Sequence, residues 1–220
     1  MLNSVSATSG TELPRAKAAP KPRPTTHATP RPTTRLAADA RRRQLIGIGL
    51  SKLVEKPIQD LAIDEVAAEA GISRGLLFHY FATKRDFYVA CVAAAGRRIL
   101  RNTAADPELS PAEQLRAMVG LFVEQIDRRR DFYLSLVHGT GGGDVGVVAV
   151  YDKIREQLTS RVLTTLSLDA HVRNVVHAWW AYVEDHAIEW SGQPRDRRTR
   201  SLDDLIDHNV AALNALLDLP

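Results

Sequence analysis

Between Leu36 and the C-terminus, apolar side chains recur at three- and four-residue spacing, and no run alternates long enough to make a strand. That pattern restricts the chain to an all-α fold, and the breaks in it divide the fold into about nine helices. Ile46, Leu50, Leu53 and Val54 form a stripe behind the basic Arg41, Arg42 and Arg43, and Pro57 ends that helix. Two short helices follow, Ile63 to Ala70 and then, after Gly71, another to about Phe81. Thr83 is a fitting N-cap for a helix carrying Phe87, Val92 and Ile99. A loop at Asp106 and Pro107 leads to Ser110 and Pro111, with proline at the tolerated first position of a helix bearing Leu115, Met118, Val119, Phe122 and Ile126. A short helix over Phe132–Val137 runs into the connector GTGGGDVG, and long helices are expected over Val147–Leu166, Asp169–Trp190 and Ser201–Leu217.

The 220 residues are 45% hydrophobic and 25% charged, enough to bury a core in one large or two small domains. The net charge of +3 is unevenly placed. Residues 1–36 hold six basic side chains (Arg15, Lys17, Lys21, Arg23, Arg31, Arg35) against Glu12, a net +5 that leaves −2 for the rest. This Pro/Thr-rich basic segment has no apolar periodicity and reads as a disordered tail, either a plain leader or an arm for phosphate or minor-groove contacts. The single cysteine, Cys91, excludes an intrachain disulfide and a cysteine zinc cluster. Its apolar surroundings suit a buried thiol, with a redox sensor as the other reading. No stretch is long and apolar enough to span a membrane, and no secretory signal core is present, so a cytoplasmic protein is expected.

The segment LAIDEVAAEAGISRGLLFHYFATKRDFY meets the packing needs of a helix-turn-helix. The first helix must present a small side chain where the second crosses it, and Ala67 stands there. The turn needs a left-handed residue, which Gly71 supplies. Val66, Ala70, Ile72 and Leu77 fall at anchor positions facing inward. Ser73, Arg74, Gly75, Leu76 and His79 are then left on the outer face of a helix sized for the major groove.

AGISRGLLFHYFATKRDF resembles the signature of the TetR (tetracycline-repressor-like) family of transcriptional regulators. Ala70, Gly71, Ile72, Ser73, Gly75, Leu77, Phe78, Tyr80, Phe81, Thr83, Lys84 and Phe87 match its pattern without a gap, within a likeness running from about Arg43 to Phe87. The resemblance implies a DNA-binding domain over 37–85 and a helical ligand-binding and dimerisation domain over 86–220. It also implies double-stranded DNA as partner, with a pseudo-palindromic operator, and a repressor released by a small apolar or amphipathic inducer. The positions of Tyr80 and Lys84 would contact phosphates, and Thr83 would cap a helix whose N-terminus faces the DNA backbone. Arg74, Gly75, Leu76 and His79 would face the groove, with Arg74 and His79 setting sequence preference. Two positions depart from the pattern. Ala62 stands where the second helix commonly has a Thr or Ser cap, and Gly47 and Gly49 replace the usual alanines at about 1 kcal/mol of helix propensity each.

The helix DAHVRNVVHAWWAYVEDHAIEW has one stripe at Val172, Val176, Trp179, Val183 and Trp190 and a second face with His177, Trp180, Glu184 and Ile188. A helix apolar on two sides packs on two sides. The last helix carries Leu202, Leu205, Ile206, Leu213 and Leu216, and by resemblance the last two helices form the homodimer interface. Phe122, Tyr151, Arg155, Trp180 and Glu184 are candidate lining residues of the inducer pocket, or else ordinary core aromatics and surface charges. Asp203, Asp204 and Asp207 in DDLID could hold Mg²⁺ for a diphosphate, or simply complement a helix dipole. His171, His177 and His186 lack zinc-protease spacing. No cofactor, metal site or catalytic constellation is expected, and the competing reading is a small all-α enzyme or lipid-like carrier with a vestigial helix-turn-helix.

Overall fold

The computed structural model describes residues 32–55, 60–137 and 144–219, and all regular secondary structure among them is helical. Nine α-helices follow one another among these residues: α1 (Pro32–Glu55), α2 (Ile63–Glu69), α3 (Arg74–Tyr80), α4 (Lys84–Asn102), α5 (Pro111–Arg128), α6 (Arg130–Val137), α7 (Val145–Thr165), α8 (Arg173–Gly192) and α9 (Leu202–Leu217). Pro57 and Gly139, Gly141, Gly142 and Gly143 of the connector lie outside the described residues, as does most of the basic tail, while Gly146 belongs to the first turn of α7. Helix α1 starts four residues before the apolar pattern does. Pro32 suits a first turn, and a helix propagates outward from its amphipathic body without needing further burial. Among the described residues no helix is long and apolar enough to cross a membrane.

Local chemistry sets the helix starts. Ser110 Oγ accepts from Glu113 N while the Glu113 carboxylate accepts from Ser110 N at 2.9 Å, and Ser201 with Asp204 repeats this capping box on α9. Asp169 caps a 3₁₀ turn, Ala170–Val172, so α8 begins later than periodicity suggests. Ala62 precedes α2 without a side-chain cap, as the sequence implied.

Two apolar clusters organise the bundle. The smaller joins α1, α2, α3 and the first half of α4 around Leu45, Val66, Leu77, Phe87 and Cys91, all fully buried. The larger joins α5, α7, α8 and α9 around Met118, Val119, Val162, Trp179, Val183 and Leu213. Helix α4 serves both: Phe87 and Val92 belong to the first cluster, and Ile99 and Leu100 pack against the second. Its most extensive neighbour is α7, and the approach is close because a Cβ at Gly96 would collide with Ile154.

The two glycines of α1 differ. Gly47 is exposed with nothing within 4 Å of a Cβ. At Gly49 a Cβ would stand 2.6 Å from Phe87 Cζ and 2.7 Å from Cys91 Sγ. The lost helix propensity at Gly49 therefore has a structural return, the close seating of α1 on α4. Cys91 itself is fully buried, and burial pushes its thiol up to about 12.

Candidate nucleic-acid interface and ligand cavity

Helix α2 ends in a Schellman motif: Gly71 N–H donates to Ala68 O and Ile72 N–H to Ala67 O, both at 3.0 Å. The motif needs a left-handed residue, and Gly71 has φ +65°. Ala67, Val66 and Leu77 are buried at the α2–α3 contact. Arg41 of α1 donates to the carbonyl of Ala70, and Lys52 pairs with Glu69 at 2.9 Å, fixing α2 against α1. These contacts of α1 were not legible in the pattern of α2 and α3 alone.

With those anchors inside, the outer face of α3 is set. Ser73 caps it, its hydroxyl accepting from Leu76 N at 3.2 Å, so this serine also holds the helix start as well as standing at the surface. Arg74, Gly75, Leu76 and His79 are exposed, with Leu76 at 42% an unusually bare leucine. A Cβ at Gly75 would meet only Ser73 Oγ, at 4.0 Å, so the backbone here is free for close approach. Arg74 Nη1 donates to Asp64 Oδ2 at 3.0 Å, and its guanidinium stands 5.5 Å from the Phe78 ring centroid. His79 stacks edge-on to Tyr80, which is half-buried.

Thr83 caps α4 as its sequence position implied: Oγ1 accepts from Asp86 N at 3.0 Å and donates to the Asp86 carboxylate at 2.9 Å. Lys84 is exposed on the first turn. One residue on, Arg85 Nη2 donates to Asp144 Oδ1 at 2.9 Å, and Asp144 in turn caps α7 through Gly146 N at 2.8 Å. The Arg85 hydrogen bond is the main cause that holds the Asp144 carboxyl down to about 2.

The second site is a cavity of about 210 Å³ bordered by α4, α5, α6, α7 and α8. Phe122, Tyr151, Arg155, Trp180 and Glu184 all line it, together with Tyr133 of α6, which the sequence pattern did not single out. Glu184, 6% exposed, organises the polar wall. Its Oε1 accepts from Tyr133 OH at 2.7 Å, and its Oε2 accepts from Arg155 Nη2 at 2.6 Å and from Tyr151 OH. Burial, and then Glu184, drive both tyrosine pKa values well above their ordinary value, so the hydroxyls stay protonated as donors. Val92, Ala95, Ile99 and Ile154 complete an apolar surround.

The two faces of α8 are thereby told apart. Trp180 and Glu184 turn to the cavity, while Ala178 and Tyr182 join Ala212, Ala215 and Leu216 of α9 around a shallow outer depression. Leu205, Ile206 and Leu213 of α9 fill the subunit's own core instead. His177 sits half-exposed, 4.0 Å from Glu156. The DDLID carboxylates have structural employment, since Asp204 closes the capping box and Asp207 pairs with Arg116. Among the described residues no three His, Cys, Asp or Glu side chains form a group that could hold a metal.

The model of bacterial regulatory proteins of the tetR family matches residues 51–91, and that of the tetracyclin repressor-like C-terminal domain matches 111–212. The transcriptional regulator AcuR of Cereibacter sphaeroides is 29% identical over 114 residues, half of this chain and 52% of that protein, so the match spans about half of that relative's length. The HTH-type transcriptional activator FasR of Mycolicibacterium smegmatis is 26% identical over 173 residues, 73% of this chain and 77% of FasR. A crystal structure of a tetR-family regulator from Streptomyces coelicolor superposes with a TM-score of 0.67 at 26% identity, covering 81% of each chain. With both family models matched along more than half its length, on a fold that presents an exposed helix-turn-helix, the chain belongs to the TetR family of transcriptional regulators, proteins that act by binding DNA rather than by catalysis.

Proposed function

We propose that the chain is a ligand-released repressor that binds a pseudo-palindromic operator as a homodimer. The observation that carries this reading is the position of α4, whose first turn flanks the exposed face of α3 and whose middle walls the cavity. Arg74 and His79 would read base edges, and Tyr80, Lys84 and the capped N-terminus of α4 would hold phosphates. Arg74 is paired with Asp64 in the free protein, so docking would exchange that exposed ion pair for a groove contact. Such exposed pairs hold the side chain only weakly.

A molecule entering the cavity presses on α4 and α7, which cannot slide freely because of the tight seat at Gly96 and the Arg85–Asp144 tie. Displacement of α4 would then carry Lys84 and the recognition helix with it. The outer depression over Ala178, Tyr182, Ala212, Ala215 and Leu216 supports dimerisation, because small side chains allow close helix approach and a two-fold pair would present two reading heads.

The test is fluorescence anisotropy with labelled intergenic DNA flanking the gene. Wild type is expected to bind in a salt-sensitive way, and the Tyr80→Ala/Lys84→Ala double variant to bind at least tenfold more weakly, as loss of two phosphate contacts implies. Equal affinity of the two proteins removes the proposed roles.

A further inference from the structure

We infer that the ligand of the cavity is an uncharged, largely apolar molecule bearing one hydrogen-bond acceptor, and that Trp180 Nε1–H takes this acceptor. The inference rests on the reading of the cavity as the effector site and deepens it by naming the chemistry that fits.

Two observations carry it. Trp180 is 1% exposed and borders the cavity, yet among the described residues its indole N–H has no hydrogen-bond partner. Its neighbour makes the contrast plain, since Trp179 Nε1 donates to Asn209 O at 2.8 Å. A buried donor without a partner costs free energy that an incoming acceptor recovers. The ring cannot readily swing away to find one, because it is held edge-on to Phe122 at 5.2 Å and against Trp179 at 4.9 Å.

The second observation is charge balance on the opposite wall. Arg155 and Glu184 neutralise one another, and both carboxylate oxygens of Glu184 already accept from Tyr133, Tyr151 or Arg155. A carboxylate ligand would meet Glu184 at close range, and among the described lining residues the cation, Arg155, is already paired. An ammonium ligand would meet Arg155, and the carboxylate it needs is already engaged. Neither charge recovers its hydration in so apolar a space. A neutral molecule with a carbonyl or ether oxygen avoids both penalties.

The experiment is calorimetric titration of the full chain with four eight-carbon probes: methyl hexyl ketone, octane, octanoate and octylamine. The ketone is expected to bind about tenfold more tightly than octane, the worth of one neutral hydrogen bond near its upper range, and the two ions more weakly still. Trp180→Phe is expected to bring the ketone down to the affinity of octane. Glu184→Gln leaves Arg155 unbalanced and is expected to reverse the order in favour of octanoate. Equal binding of ketone and octane to wild type, tighter binding of either ion, or no binding of the ketone overturns the inference, and that comparison needs no variant to fold. Operator DNA added in parallel separates the two readings. An ion that binds and releases DNA leaves the effector site standing while this inference fails. A ketone that binds without affecting DNA does the reverse.

Discussion

Arg85 and Asp144 stand in a two-point ion pair, with Arg85 Nη2 to Asp144 Oδ1 at 2.9 Å, that joins the first turn of α4 to the N-cap of α7. The pair ties the start of α4 to a helix that walls the cavity through Val147, Val148 and Tyr151.

Asp144 has two duties and Arg85 one. Asp144→Ala removes the cap on Gly146 and Val147 as well as the ion pair, so it is expected to lower the melting temperature more than Arg85→Ala does. The acid response follows from the sign of the shift. Asp144 is held below its ordinary value, so its contribution is present above pH 3.8 and fades as pH falls towards about 2. Calorimetric melts of both variants across that window check this; an Arg85→Ala melt as low as that of Asp144→Ala contradicts it.

Gly47→Ala and Gly49→Ala should move stability in opposite directions. At Gly47 the added methyl meets nothing, and the gain in helix propensity is up to about 1 kcal/mol. At Gly49 the same gain is outweighed by overpacking against Phe87 and Cys91, which costs about 1–3 kcal/mol. Urea unfolding of the two variants measures both signs.

Cys91 should be silent in the native state. It is fully buried and its thiol is pushed up to about 12, so almost no thiolate exists at neutral pH. Ellman's reagent is expected to react only on unfolding. Prompt reaction of the folded protein means that α1 opens away from α4.

Ala215→Glu places a charge in the outer depression of α9 without touching the subunit core. The variant is expected to run as a monomer by light scattering, to keep its melting profile near that of an isolated subunit, and to lose operator binding. A dimer of unchanged mass places the interface elsewhere.

Local features were readable from the sequence and long-range ones were not. Gly71, Thr83, Ser110 and Ser201 act on residues within a few positions, so the turn and the helix starts followed from short patterns. The five cavity side chains could be named because they share helix faces with apolar neighbours. Tyr133 escaped because α6 is too short for periodicity to show which side faces inward. Gly49 read as a defect because Phe87 and Cys91, which need its bareness, lie far along the chain. The leucines of α9 look available for a partner in the sequence, but α5 and α8 both pack on α9, and Leu205, Ile206 and Leu213 are buried in the core these helices share.

The role of α3 and the start of α4 is tested most directly by anisotropy titrations of Arg74→Ala and Lys84→Ala against the operator and single-base variants of it, at several salt concentrations. Lys84→Ala is expected to weaken all sequences alike and reduce the salt slope by about one, whereas Arg74→Ala should erase about 1–3 kcal/mol of discrimination at one position of each half-site. Unchanged salt slope and unchanged discrimination in both variants would contradict a reading head built on this face.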